Sequence, residues 1–235
     1  MFNGQCSMFK KQIPNTITCC NLISGCIATY YAFVGEFDMA LLFIIIGAVF
    51  DFFDGMSARL LGVSSPIGKE LDSLADDITF GFAPSAIVFE YLRSETELLP
   101  FLVFVMAAFS ALRLAKFNLD ERQALGFIGL PTPANALFWG SLIAGAGDWM
   151  KTAPFIGDNL SLVIIAGVFI SSYLLIAEIP MFALKFKHWG FKGNEVKYIF
   201  VLSCIPLLLL LGVSGFAAII AWYVLLSVIT NKSNK

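Results

Sequence analysis

The sequence predicts an all-α fold: a polytopic transmembrane helical bundle of about eight spans with both termini cytoplasmic. Three observations predict it. Hydrophobic residues are 58% of the 235 and charged residues only 14%, with a mean hydropathy of +0.83, which is the balance of an integral membrane protein. Apolar runs of about 20 residues, enough to cross a bilayer, recur along the whole chain. Basic residues concentrate in alternate connections.

Taken in order, the predicted spans are 17–34, 38–61, 66–92, 98–118, 131–147, 160–184, 196–212 and 215–230. Residues 1–16 are more polar, contain Lys10, Lys11 and Pro14, and read as a cytoplasmic or interfacial segment rather than a cleaved signal, because apolar spans continue after it. Residues 17–184 form a six-span core. Residues 185–235 add an inner loop and two further spans, joined by a tight turn at Gly212–Gly215. With the N-terminus inside, 13 of the 15 basic residues fall on the cytoplasmic side: Lys10, Lys11, Arg59, Lys69, Arg113, Lys116, Arg122, Lys185, Lys187, Lys192, Lys197, Lys232 and Lys235. Only Arg93 and Lys151 fall outside, among Glu36, Asp38, Glu95, Glu97, Asp148 and Asp158. That split obeys the positive-inside rule.

The same composition excludes other classes. The net charge of −2 says little beside the asymmetry of the basic residues, and the lack of a basic run interleaved with aromatics argues against a nucleic-acid partner. Cys6, Cys19, Cys20, Cys26 and Cys204 have no metal-type spacing and read as small apolar packing residues. The lone His188, within an inner patch of Lys185, Lys187 and Lys192 suited to anionic lipid, carries no catalytic weight.

One stretch breaks the apolar pattern. Asp51, Asp54, Gly55 and Ala58 recur at i, i+3, i+4 and i+7, so they share a helix face; Gly68, Asp72 and Asp76 share another at i, i+4 and i+8. Between them, Ser65 as N-cap and Pro66 at the first helical position predict a turn and an antiparallel second helix. Two carboxylates from each helix then converge at the cytoplasmic end of a hairpin. Acids in spans cost about 2.5–3.5 kcal/mol each at a helix centre, so they need partners or a task. Oxygen-only ligation suits Mg²⁺, Mn²⁺ or Ca²⁺, and Arg59 beside them suits a phosphate. From spacing alone, a helix-capping polar cluster and an ion or proton pathway remain open. A transporter, however, would place its acids nearer the midplane and usually within paired repeats, and no second half mirrors these.

Asp51, Asp54, Gly55, Ala58, Arg59, Gly68, Asp72 and Asp76 fit every fixed position of the pattern D-x2-D-G-x2-A-R-x8-G-x3-D-x3-D, and the chain thereby resembles the CDP-alcohol phosphatidyltransferases. Within that family its flanks resemble the membrane-embedded phosphatidylserine synthases: Pro14-Asn15-x-x-Thr18 with Asn21-Leu22, Asp72 to Asp76 continuing to Phe80-Gly81-x-Ala83-Pro84, Ala111 to Asn118, and Gly129-Leu130-Pro131-x-Pro133. The resemblance covers the chain to about residue 140. Lys116 departs from it, standing where Arg is more usual, so that the charge survives without the bidentate fork.

The resemblance implies transfer of the phosphatidyl group of CDP-diacylglycerol to L-serine, giving phosphatidylserine and CMP, in a bacterial or archaeal cell membrane. Glycerol 3-phosphate or inositol phosphate as acceptor is the alternative; the scarcity of Arg beyond Arg113 and Arg122 leans against a phosphorylated one. It implies Asp51, Asp54, Asp72 and Asp76 as ligands of Mg²⁺ or Mn²⁺, in two ions, with Asp76 also the base. Asn21, Gly55, Ala58, Arg59 and Gly68 would bind the CDP moiety and its phosphates, and Arg113, Lys116, Asn118 and Pro131 the acceptor. Against each stands a plainer reading: helix packing for the glycines, interhelical hydrogen bonds for Thr18 and Asn21, and charge anchoring for Arg113 and Lys116. Asp77 points about 100° from Asp76 on a regular helix and reads as structural or supporting. A homodimer is implied by resemblance alone.

Overall fold

The computed structural model describes residues 2–119, 128–154, 157–181, 190 and 194–233. Among them the chain is helical, with no strand and one isolated antiparallel bridge, Ile128 to Pro180. Arg122, Lys185, Lys187, His188, Lys192 and Lys235 lie outside the described residues, as do the side chains of Lys10, Lys11 and Lys232.

Helix α1 runs Phe2–Phe33, so the polar N-terminal stretch and the first predicted span form one helix through Pro14. Helix α2 (Phe37–Leu61) ends at Gly62, whose φ of 60° and ψ of 35° are left-handed; Val63 N–H returns to the Ala58 carbonyl at 3.0 Å, closing the last turn as glycine C-caps do. Helix α3 (Pro66–Asp76) starts as the sequence predicts: the Ser65 hydroxyl accepts from Gly68 N–H at 3.0 Å.

The third predicted span differs from a regular helix. After α3 the chain widens into a π-helical turn, Asp77–Phe82, before α4 (Ala83–Arg93). Thr79 explains the anchoring of this turn. Its hydroxyl donates to the Asn21 carbonyl at 3.1 Å, and it wedges between Gly25 and Gly47, where any Cβ would strike it. Only glycine at those two positions admits α1, α2 and the wide turn to one point. Such turns favour functional sites.

A 3₁₀ turn (Leu99–Phe104) leads into α5 (Val105–Leu119). Helix α6 spans Thr132–Thr152 and α7 spans Leu160–Ile176; α7 is thus shorter than the predicted 160–184, because Ala177–Met181 leaves the helix to pair through Ile179 and Pro180 with the segment before α6. Helices α8 (Glu195–Leu211) and α9 (Gly215–Ser233) meet across Gly212–Ser214, at the predicted turn. Among the described residues, five helical stretches are long and apolar enough to span a bilayer: Gln12–Phe33, Phe37–Leu61, Leu99–Leu119, Gly157–Ile176 and Glu195–Thr230. The last contains both α8 and α9, and leucines such as Leu209 and Leu210 on it face outward. An apolar core of Ile44, Phe80, Ile87, Met106, Trp139, Ile143 and Val168 joins α2, the π turn and α4 to α7. This core holds α2 and the π turn that directly follows α3.

Candidate active site

The hairpin brings the acids together. Asp51, Asp72 and Asp76 each present a carboxylate oxygen within 4.8 Å of the others. At that separation each ionised pair repels by about 3–4 kcal/mol at an effective dielectric near 20. Neutralisation by protons or cations is therefore built into the arrangement. Asp72 Oδ1 is buried without a hydrogen bond, leaving a lone pair free inward. Three convergent oxygen donors with no His or Cys among them match a hard divalent cation. The residues present fit such an ion.

Asp54 stands apart from that trio. It is buried, and its Oδ2 accepts from the Thr18 hydroxyl at 2.6 Å. The same hydroxyl lies 3.0 Å from the Pro14 carbonyl, but it has one proton, and the shorter, charge-assisted contact to Asp54 takes it. Asn21 is fully buried and donates its amide to Asp76 Oδ1 at 3.0 Å. Thr18 and Asn21 of α1 thus both hold carboxylates in place.

Beside the acids lies a cavity of about 320 Å³ between α1, α2 and α3, lined by Asp54, Gly55, Ala58, Gly68, Lys69 and Asp72 together with Pro14, Asn15 and Thr18. The two signature glycines differ there. A Cβ on Gly68 would meet Asn15 Oδ1 at 2.9 Å and Ser65 Oγ at 3.0 Å, so close packing of α3 on α1 already requires it. A Cβ on Gly55 would meet nothing nearer than the Arg59 guanidinium, at 3.7 Å. The space over Gly55 is open. Arg59 itself is exposed at the end of α2.

The chain matches the family model of the CDP-alcohol phosphatidyltransferases over residues 11–146, which takes in the hairpin, the cavity and Arg113. The chain belongs to the CDP-alcohol phosphatidyltransferase family. Curated relatives carry the name CDP-diacylglycerol–serine O-phosphatidyltransferase. That of Bacillus subtilis is 41% identical over 125 residues, 52% of this chain and 69% of that protein. That of Mycobacterium leprae is 32% identical over 181 residues, 72% of this chain and 57% of that protein. That of Helicobacter pylori is 28% identical over 229 residues, 94% of this chain and 95% of that protein, so it follows this family member beyond the signature into α8 and α9.

Of the residues offered to the acceptor, Arg113 lies near Asp76. Arg113 on α5 is 7% exposed, interacts electrostatically with Asp76 and lies over the Phe117 ring at 5.9 Å. Its Nε has no hydrogen bond. Asn118 instead braces the hairpin: its carbonyl accepts from Lys69 Nζ at 2.7 Å, and its amide donates to Ser73 Oγ at 2.8 Å. Lys116 is exposed, and Pro131 caps the start of α6. Sequence reading gave no role to Ser110, one turn before Arg113, or to Gly81. The i, i+3 spacing of Ser110 and Arg113 was the available signal.

Proposed function

We propose that this protein is a CDP-diacylglycerol–serine O-phosphatidyltransferase. The hydroxyl oxygen of L-serine attacks the phosphorus that bears the diacylglycerol; the bond from that phosphorus to the bridging oxygen breaks, and CMP leaves with that oxygen. The serine hydroxyl proton passes to Asp76. Products are phosphatidylserine and CMP. The observation that carries the reading is the trio of convergent carboxylates beside an open cavity floored by Gly55, in a chain of this family whose relatives bear that enzyme's name.

Asp51, Asp72 and Asp76, with Asp54 at the cavity wall, would hold Mg²⁺ or Mn²⁺, in two ions. Such cations neutralise charge on a pyrophosphate and its leaving group. The protein's own residues do the rest. Gly55 and Ala58 leave room for the nucleotide against the α2 backbone, and Arg59 meets its phosphates. Thr18 and Asn21 keep Asp54 and Asp76 from swinging away, and Asn21 aims the Asp76 carboxylate. Arg113 takes the serine carboxylate, with Lys116 and Pro131 at the margin of that pocket.

The acids face the cytoplasm, in a bundle of about eight spans with a core at 17–184 and both termini inside. In support, the two basic residues assigned to the outer side sit together at the opposite end: Arg93 closes α4, and Lys151 Nζ stands 4.9 Å from the ring of Tyr91, whose hydroxyl reaches the Gly147 carbonyl. The diacylglycerol tails remain among membrane lipids, and the enzyme is a homodimer as the family resemblance implies.

The test is product identity. Purified protein with CDP-diacylglycerol, labelled L-serine and Mn²⁺ is expected to yield labelled phosphatidylserine, to stop on chelation and to resume on adding Mg²⁺ or Mn²⁺. Glycerol 3-phosphate outcompeting serine would overturn the acceptor, and phosphatidylserine formation indifferent to chelation would overturn the role of the acids.

A further inference from the structure

Three polar atoms buried between the π turn and α5 have no hydrogen-bond partner elsewhere in the protein: Arg113 Nε has none, and Asp77 Oδ1 and Ser110 Oγ have only each other nearby. Ser110 is fully buried and Arg113 is 7% exposed. Leaving such groups bare costs about 1–3 kcal/mol each, more where charge is involved, so a protein keeps them bare where a ligand satisfies them. They are also neighbours. Asp77 Oδ1 and Ser110 Oγ lie 2.6 and 2.8 Å from the point where a Cβ on Gly81 would stand, so Gly81 keeps the space between them clear. Arg113 follows Ser110 by one turn on the same helix face. Asp77 continues the regular helical turn after Asp76 and so faces α5 and Ser110, while Asp76 faces Asn21 on α1.

We propose that Asp77, with Ser110, binds the ammonium group of the acceptor. This rests on the acceptor being L-serine and extends that reading to its specificity. A free α-amino acid carries an ammonium and a carboxylate on one carbon and, in serine, a hydroxyl on the next. The pocket offers a carboxylate and a hydroxyl acceptor for the first, the Arg113 guanidinium for the second, and Asp76 beyond for the third. Acceptors without an amine, such as glycerol or inositol derivatives, leave the Asp77 carboxylate with no cation and only Ser110 beside it, and this disfavours them. Asp77 is a specificity residue; it touches the acceptor but takes no part in proton transfer.

The experiment measures CMP release by wild type, Asp77→Asn and Ser110→Ala, with serine and with 3-hydroxypropionate, which is serine without its amine. Asp77→Asn, nearly isosteric, is expected to raise the KM for serine about 10- to 100-fold while kcat and the KM for CDP-diacylglycerol stay within about twofold, as befits loss of one charge-assisted contact. Its KM for 3-hydroxypropionate should not rise, so the preference for serine narrows by the same factor. Ser110→Ala should move the serine KM the same way by a few-fold. An unchanged serine KM in Asp77→Asn overturns the proposal, as does a fall in kcat with both acceptors, which would mark a purely structural role. If wild type itself prefers 3-hydroxypropionate or glycerol 3-phosphate to serine, the acceptor assignment fails and this inference falls with it.

Discussion

The two sides of Asp76 are built differently. Along the packed α1–α2 seam, Gly25 and Gly47 close on Thr79, and Asn21 Nδ2 on Asp76, Thr18 on Asp54 and Thr79 on the Asn21 carbonyl are paired, while Asn21 Oδ1 is bare. Toward the cavity and α5, space is open over Gly55, and Asp72, Asp77, Ser110 and Arg113 each keep a buried polar atom bare. The contrast separates scaffold from site. One side holds the carboxylates at fixed positions before any substrate arrives, and the other keeps unsatisfied chemistry for ligands. Preorganisation of this kind is what makes charged groups effective at a reacting centre.

Paired glycine substitutions probe the contrast most strongly. A side chain at Gly47 begins 2.5 Å from Thr79 Cγ2 and 3.0 Å from Asn21 Oδ1, already inside van der Waals limits. Gly47→Leu is therefore expected to lower the melting temperature sharply or prevent folding, overpacking by a single residue costing about 1–3 kcal/mol or more. Gly55→Leu should keep the wild-type melting temperature yet raise the KM for CDP-diacylglycerol by about tenfold or more, worth ~1.4 kcal/mol of lost binding. Equal destabilisation by both would erase the distinction between packed and open sides.

A smaller effect is expected at Asn21. Asn21→Leu keeps the volume but removes the donor to Asp76, and kcat should drop about tenfold, with the serine KM unchanged, for loss of one hydrogen bond to a charged group. A rise in the KM for CDP-diacylglycerol with kcat intact would instead make Asn21 a nucleotide contact. Smallest is Ser65→Ala, which deletes the α3 cap and should cost ~1 kcal/mol of stability, read in a denaturation midpoint, with both KM values unchanged.

The hairpin was legible in the sequence because its signals are local. Asp51, Asp54, Asp72 and Asp76 announce themselves as acids in apolar surroundings, and Ser65-Pro66 and Gly62 carry the turn in their own backbone preferences. The π turn was not legible. It depends on Thr79 meeting Gly25 and Gly47, a three-way contact across helices distant in sequence, and periodicity is blind to it. Asp77 reads as turned about 100° from Asp76 on a regular helix, but that Ser110 of α5 stands on that side came only from the packed helices. Asn21 reads from the sequence as a contact of the CDP moiety and Asn118 as one of the acceptor, and that their amides hold Asp76 and Ser73 came only from the packed helices. The end of α7 at Ile176 was hidden by an apolar run that continues past the helix into Ala177–Met181.

The central claim is that these carboxylates serve phosphatidyl transfer to serine, and the most direct measurement is CMP release from CDP-diacylglycerol with Mn²⁺ across a panel of alcohols, wild type beside Asp76→Asn. Serine-dependent release that falls by about 10²–10⁴ in Asp76→Asn, the range for loss of a general base, is the predicted result. No release with any alcohol, or undiminished release in Asp76→Asn, would contradict it.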